Sequence, residues 1–104
     1  GMVVLSPCDP LEVQQATKAI LEFSGPVYMR TGRSDSKRIL SDDYKFEIGK
    51  AKILKDGNDV TIMGCGPTTG RALEAAESLE KEGISQLVIG YGAKGHGNYI
   101  SHKS

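Results

Sequence analysis

Arg30 and Arg33 are the residues whose type and position best suit recognition of a small anion. They follow Val27-Tyr28-Met29, a short apolar run with the profile of a buried strand. Ligands of open α/β sheets gather outside the C-terminal ends of such strands. A guanidinium fork there offers parallel donors to a phosphate or carboxylate. The competing reading is a pair of surface arginines bonded to Asp35, Asp42 or Asp43, and spacing alone does not choose between the two.

Other residues that could do chemistry are weaker candidates. Gly64-Cys65-Gly66-Pro67-Thr68-Thr69-Gly70 lies between a strand signal and a helix signal, where glycines let a phosphate approach a helix N-terminus. The spacing is GxGxxxG rather than GxGxxG, no acidic residue ends the next strand at Ile89, and no Gly-Lys-Ser/Thr follows to make a P-loop. A tight strand-to-helix turn is the favoured reading. Cys65 lies near a helix start, which can activate a thiol, but no base is near it in sequence; a small buried thiol is expected. His96, Tyr99 and His102 fall in a Gly-rich tail without the Cys or paired carboxylates of a ligand set, and read as a solvated tail. No catalytic residue and no metal site is assigned.

The elements that must position these residues can be read along the chain. Val3-Val4-Leu5 is a short strand ending at Ser6-Pro7. Asp9 and Pro10 open a helix, with Glu12 at capping-box spacing and Val13, Ala16, Ile20 and Phe23 on one apolar face. Ser24-Gly25-Pro26 ends it before Val27–Met29, completing a strand–helix–strand unit whose strands should be parallel neighbours. The polar stretch 32–45 reads as a linker or exposed loop. Tyr44, Phe46 and Ile48 alternate with Lys45 and Glu47, the period of a half-buried strand that continues through Ala51, Ile53 and Leu54. Asp56-Gly57-Asn58 then predicts a hairpin turn, with Val60–Met63 returning. Pro67, Thr68 and Thr69 start a second helix with Ala72, Leu73, Ala76 and Leu79 inward, closed by a left-handed Gly83. Gln86–Ile89 is the final predicted strand. The fold class is α/β: strand–helix–strand units, a mostly parallel sheet with helices packed on it, and one hairpin near residues 50–64.

Composition sets the bounds. The chain has 104 residues, one small domain's worth, with 13 basic residues facing 13 acidic ones. That balance argues against a nucleic-acid binder or a polybasic membrane anchor. No apolar run approaches the ~20 residues of a membrane span. Cys8 and Cys65 are the two cysteines, far apart and outside any CxxC spacing, which suits a reducing cytoplasm. Gly1 before Met2 reads as a residue left by tag cleavage.

In order and spacing the landmarks resemble the transketolase family. Val3 to Glu12 is similar to the segment ending in "PaD" before a helix, and Gly25 to Arg33 to the "GPvylRlgR" strand. Tyr44 to Ala51 is similar to "yeFeiGKa" at the start of the last domain, Asp56 to Ile62 to "dGkDVtii", and Ala72 to Ala76 to the following helix. The likeness covers about residues 3 to 89 and is strongest to the split, archaeal or clostridial-type C-terminal subunits. It implies that residues 2–36 close a pyrimidine-binding domain, 37–48 link, 49–89 begin the C-terminal domain, and 90–104 form a Gly-rich tail unlike the family.

The resemblance further implies a fragment of an enzyme that moves two-carbon ketol units between sugar phosphates with thiamine diphosphate and Mg. The glutamate that activates the cofactor and the GDG…N motif that holds Mg and diphosphate have no counterpart here, so the chain alone is expected to bind no cofactor and to be inactive. Arg33 matches an arginine that binds the substrate's phosphate, and Arg30 a position that is often arginine. The expected partner is a second copy or a complementary transketolase subunit, with a sugar phosphate as ligand and neither nucleic acid nor membrane. The alternative is a non-catalytic α/β module that binds a small anion or a protein through the Arg30/Arg33 end of its sheet.

Overall fold

A computed structural model describes residues 2–33, 37–94 and 99–100, with 93–94 and 99–100 given by their backbone alone. The first unit is β1 (Val3–Leu5), α1 (Pro10–Glu22) and β2 (Val27–Met29). β1 and β2 are parallel, with Val3, Val4 and Leu5 opposite Val27, Tyr28 and Met29. Asp9 caps α1 as its type predicts, accepting a hydrogen bond from the Glu12 amide at 2.8 Å. Leu5 and Ala16 are fully buried between strand and helix, with Val3, Ile20, Val27 and Met29 packed around them.

The second unit is β3 (Lys50–Lys55), β4 (Val60–Gly64), α2 (Thr68–Lys81) and β5 (Gln86–Gly90). Its small residues set how closely helix and sheet approach: Ala72 and Ala76 bury against Val88, flanked by Ile62 and Leu73. Gly83 takes φ +80°, a left-handed conformation, and the amide of Ile84 closes the helix on the Leu79 carbonyl at 3.1 Å. The sheet is partly parallel. β4 runs parallel to β5, whereas β3 runs antiparallel to it with a register shift between Ile53 and Lys55.

Three expectations are corrected. The hairpin near residues 50–64 does not form: β3 and β4 lie on opposite sides of β5 in the order β4-β5-β3-β7. The Asp56-Gly57-Asn58 turn engages the start of β5 instead of closing on itself. The Asn58 amide donates to Ser85 Oγ at 3.1 Å, and the Ser85 amide donates to Asp59 Oδ2 at 2.7 Å. Tyr44 to Ile48 keeps the predicted alternation of half-buried and exposed side chains but joins no strand. Its backbone is bonded by Gln15 of α1, which donates to the Tyr44 carbonyl at 2.8 Å and accepts from the Phe46 amide at 2.7 Å.

The third correction concerns the segment after Ile89, which holds further strands. The Tyr91 amide donates to the Gly64 carbonyl at 2.8 Å and the Ser6 amide to the Gly92 carbonyl at 2.7 Å. β6 (Ala93–Lys94) then lies antiparallel on β1, and β7 (Tyr99–Ile100) parallel on β3. Ladder bonds use backbone groups alone, so glycine-rich sequence without apolar period still pairs. The first sheet is thus ordered β2-β1-β6, and one continuous stretch, 86–94, runs from the second sheet into the first.

Candidate anion cleft between the two sheets

The C-terminal ends of β1, β2 and β4 meet at one open cleft of about 360 Å³. Ser6 comes from beyond β1, Arg30, Thr31 and Gly32 from beyond β2, and Cys65, Pro67 and Thr68 from the turn into α2. β2 carries Arg30 to this position because its backbone stays in the ladder: the Arg30 amide donates to the Leu5 carbonyl at 2.8 Å. Gly66 makes the opposing wall possible. It takes φ +58°, and a Cβ on it would lie 2.5 Å from Ser6 Oγ. Thr68 stiffens the turn, its hydroxyl donating to the Cys65 carbonyl at 2.7 Å and accepting from the Cys65 amide at 3.2 Å. The cleft therefore gathers the guanidinium-bearing Arg30 and the hydroxyl-bearing Ser6, Thr31 and Thr68 at the start of a 14-residue helix, whose dipole favours negative charge.

Arg33 is exposed, three residues along the chain from Arg30, and is not among the residues lining the cleft. Its alternative partners are engaged elsewhere where they can be described. Asp42 pairs with Arg38, and Asp43 accepts from the Ser41 hydroxyl; Asp35 lies outside the described residues. Cys65 corrects the expectation of a buried thiol, because the turn that buries Gly64, Gly66 and Thr69 leaves it exposed. The buried free thiol is Cys8. His96 and His102 lie outside the described residues, as does the side chain of Tyr99.

A second polar cluster, around the start of α1, was not foreseen. Glu12 is only 4% exposed, and its carboxylate accepts from the Tyr44 hydroxyl at 2.5 Å and from the Cys8 amide at 3.3 Å. Asp9 is equally buried, and its second oxygen accepts from the Ile39 and Leu40 amides, both at 2.9 Å. Burial raises the pKa of Glu12, against the opposing pull of the Tyr44 and Cys8 hydrogen bonds. Burial, then the charges of Glu12 and Asp9, pushes the Cys8 thiol far up, which disfavours its thiolate. Tyr44 is likewise raised, by burial and then by its bond to Glu12. These groups, with Gln15, tie Ile39, Leu40, Tyr44 and Phe46 to α1 and its cap. At the surface, Glu47 is held down at about 2 by its hydrogen bonds to Lys50 and Lys52.

Among the described residues, no three of His, Cys, Asp and Glu converge where a metal could sit. The two buried carboxylates are committed to backbone amides and a phenol, so this donor set does not fit a metal-held diphosphate. No described helix is long and apolar enough to cross a membrane.

With the cleft and its framework in place, comparison with known proteins shows what the chain is similar to. Residues 49–91 match the family model for the transketolase C-terminal domain, and transketolase-family proteins are among the chain's relatives. It is 47% identical over 90 residues to an uncharacterized transketolase family protein of Sinorhizobium fredii. To a transketolase C-terminal section of Methanocaldococcus jannaschii it is 41% identical over 91 residues. Each alignment covers 86% of this chain but only 26% and 29% of the relative, so the chain spans about a quarter of their length. Among solved structures it is similar to a split-gene transketolase in the form of an inactive β4 tetramer. The TM-score is 0.82 at 43% identity, covering 88% of this chain and 30% of that one.

Proposed function

We propose that this chain is a section of a transketolase-like protein that contributes a substrate-phosphate contact through Arg33 and Arg30 and does not turn over alone. The observation that carries the reading is the 43% identity and TM-score of 0.82 to the split transketolase over 88% of the chain. On this reading, residues 2–36 close a pyrimidine-binding domain, residues 37–48 link, and residues 49–89 begin a C-terminal domain. The complete enzyme would move two-carbon ketol units between sugar phosphates, and thiamine diphosphate with Mg would supply the carbanion chemistry in its other segments. This chain's part is electrostatic. Arg30 lines a cleft opposite a helix N-terminus, and Arg33 is exposed nearby in the chain, so both guanidinium groups can reach an anion without disturbing the core. The protein would be a homo-oligomer or the partner of a complementary subunit, and would work in the cytoplasm.

A chimera tests this. Residues 3–92 of this chain would replace the matching segment of the Methanocaldococcus jannaschii transketolase section, assayed for ketol transfer together with the remaining segments of that enzyme. The chimera should turn over, and Arg33→Ala within it should raise KM for the sugar phosphate at least ~10-fold, the effect of one lost charge-assisted contact. A folded chimera without turnover would contradict the reading.

A further inference from the structure

Two consecutive residues between β5 and β6 bond to both walls of the cleft. The Tyr91 amide donates to the Gly64 carbonyl, at the end of β4 just before Cys65. The Gly92 carbonyl accepts from the amide of Ser6, just beyond β1. Cys65 and Ser6 line the cleft from the second and the first sheet respectively. The two bonds, at 2.8 and 2.7 Å, therefore set how far apart the walls stand.

Glu12 lies directly behind that bridge. A Cβ built on Gly92 would overlap Glu12 Oε1 and lie 3.2 Å from its carboxyl carbon, so the carboxylate packs on the Gly92 backbone. The same oxygen accepts from the Cys8 amide, two residues beyond Ser6, and Oε2 accepts from the Tyr44 hydroxyl. One buried side chain thus touches the segment that carries Ser6, the bridge that bonds Ser6, and Tyr44. It is held there from its own backbone, since the Glu12 amide donates to the capping Asp9.

We propose that Glu12 is a positioning residue for the anion cleft: its carboxylate holds the Tyr91-Gly92 bridge against the Ser6-Pro7-Cys8 segment and so maintains the spacing of the two walls. The role rests on the reading of the cleft as an anion site, which it deepens. Shape rather than charge carries it. A negative charge behind an anion site is by itself unfavourable to the anion, so any benefit of Glu12 comes from what it holds. Glutamine has the same shape without the charge, and can accept from the Cys8 amide while donating to the Tyr44 oxygen. Alanine can do neither, and leaves a gap against Gly92.

The test titrates the full chain with inorganic sulfate, at ionic strength held constant with chloride, and follows the amide signals of Arg30 and Cys65. Glu12→Ala should weaken sulfate binding at least ~5-fold, the effect of loosened support on a site it does not touch. Glu12→Gln should bind sulfate as tightly as the native chain, or more tightly. Hydrogen exchange reads the bridge without any ligand: the Ser6 and Tyr91 amides should exchange at least ~10-fold faster in Glu12→Ala, while amides of the β4–β5 ladder keep their rates. If the alanine variant fails to fold, Gly92→Ala, whose methyl meets the carboxylate, carries the same test, with sulfate binding weakened about 5-fold and exchange faster at Ser6 and Tyr91. Equal affinities in the alanine and glutamine variants, or unmoved exchange at Ser6 and Tyr91, would overturn the positioning role alone. A native chain that binds no sulfate would overturn the anion reading together with it.

Discussion

Tyr44→Phe removes one hydroxyl and keeps the ring, so it isolates one of the bonds that hold Tyr44 and its neighbours on α1. In the folded protein that hydroxyl lies 2.5 Å from Glu12 Oε2, and the carboxylate also accepts from the Cys8 amide at a long 3.3 Å. Hydrogen bonds to charged groups contribute about 1.5–3 kcal/mol net. Glu12 can limit the loss by taking up a proton, at about 1.4 kcal/mol for each unit between its pKa and the ambient pH. We therefore expect a loss near 2 kcal/mol at pH 7, which for a chain of this size lowers Tm by roughly 8–16 °C. The loss should be smaller at pH 5 than at pH 7, because burial raises the pKa of Glu12 and so favours the neutral acid, which needs no strong donor. Urea unfolding at both pH values measures it, and Glu12→Gln in a double-mutant cycle assigns the coupling to this pair. A loss below 0.5 kcal/mol at pH 7, or an equal loss at both pH values, would refute the placement of the charge; the threshold is the scatter of ordinary surface changes, about 0.5 kcal/mol.

Further outcomes follow from the same structure. Because burial raises the Glu12 pKa above its ordinary 4.5, the folded state binds more protons than the unfolded one between 4.5 and the raised value. Stability should therefore fall as pH rises through that window and level off above it, and Glu12→Gln should flatten the slope in pH-scanned thermal melts. Gly57→Ala would set a Cβ 2.2 Å from the Gln86 backbone, which cannot yield as a side chain could; a loss of about 1–3 kcal/mol in urea unfolding is expected. Arg33→Ala should change stability by less than ~1 kcal/mol, since an exposed arginine forms at most a weak pair. Titration calorimetry of the chain alone with thiamine diphosphate and Mg should give no saturable heat, because on the proposed reading the groups that would hold the cofactor lie in other segments.

Local signals carried most of the fold. Asp9-Pro10, the Ala72/Ala76 spacing and Gly83 each fixed a helix boundary or face through nearest-neighbour chemistry, and each appears as read. What failed was pairing between distant segments. An Asp-Gly-Asn turn between two strand-like runs implies a hairpin only if nothing else competes for their edges, and here β5 takes both. Gln15 likewise replaces a strand partner for Tyr44 and Phe46, and no periodicity announces a side chain that bonds backbone across 29 and 31 residues. In the cleft, Arg30 was legible because it follows a short apolar run. Ser6 was not, and the Gly64–Gly70 stretch was read only as a turn, since their meeting depends on Gly66 packing against the end of β1. The Glu12–Tyr44 bond had one usable signal, a capping-box glutamate, but its carboxylate turns to Cys8 and Tyr44 rather than to the Asp9 amide.

The most direct test of the phosphate-contact claim is a titration of this chain with a sugar phosphate, followed through backbone amide signals. Signals of Arg30, Thr31, Gly32 and Arg33 should move together with those of Cys65 and Thr68 across the cleft, saturating in the millimolar range expected of a partial site, about 4 kcal/mol. Arg33→Ala should abolish the shifts, and the matching unphosphorylated sugar should produce none. Signals that stay still at millimolar sugar phosphate, or that move equally for the sugar without its phosphate, would contradict the assignment of Arg33 and Arg30 as phosphate ligands.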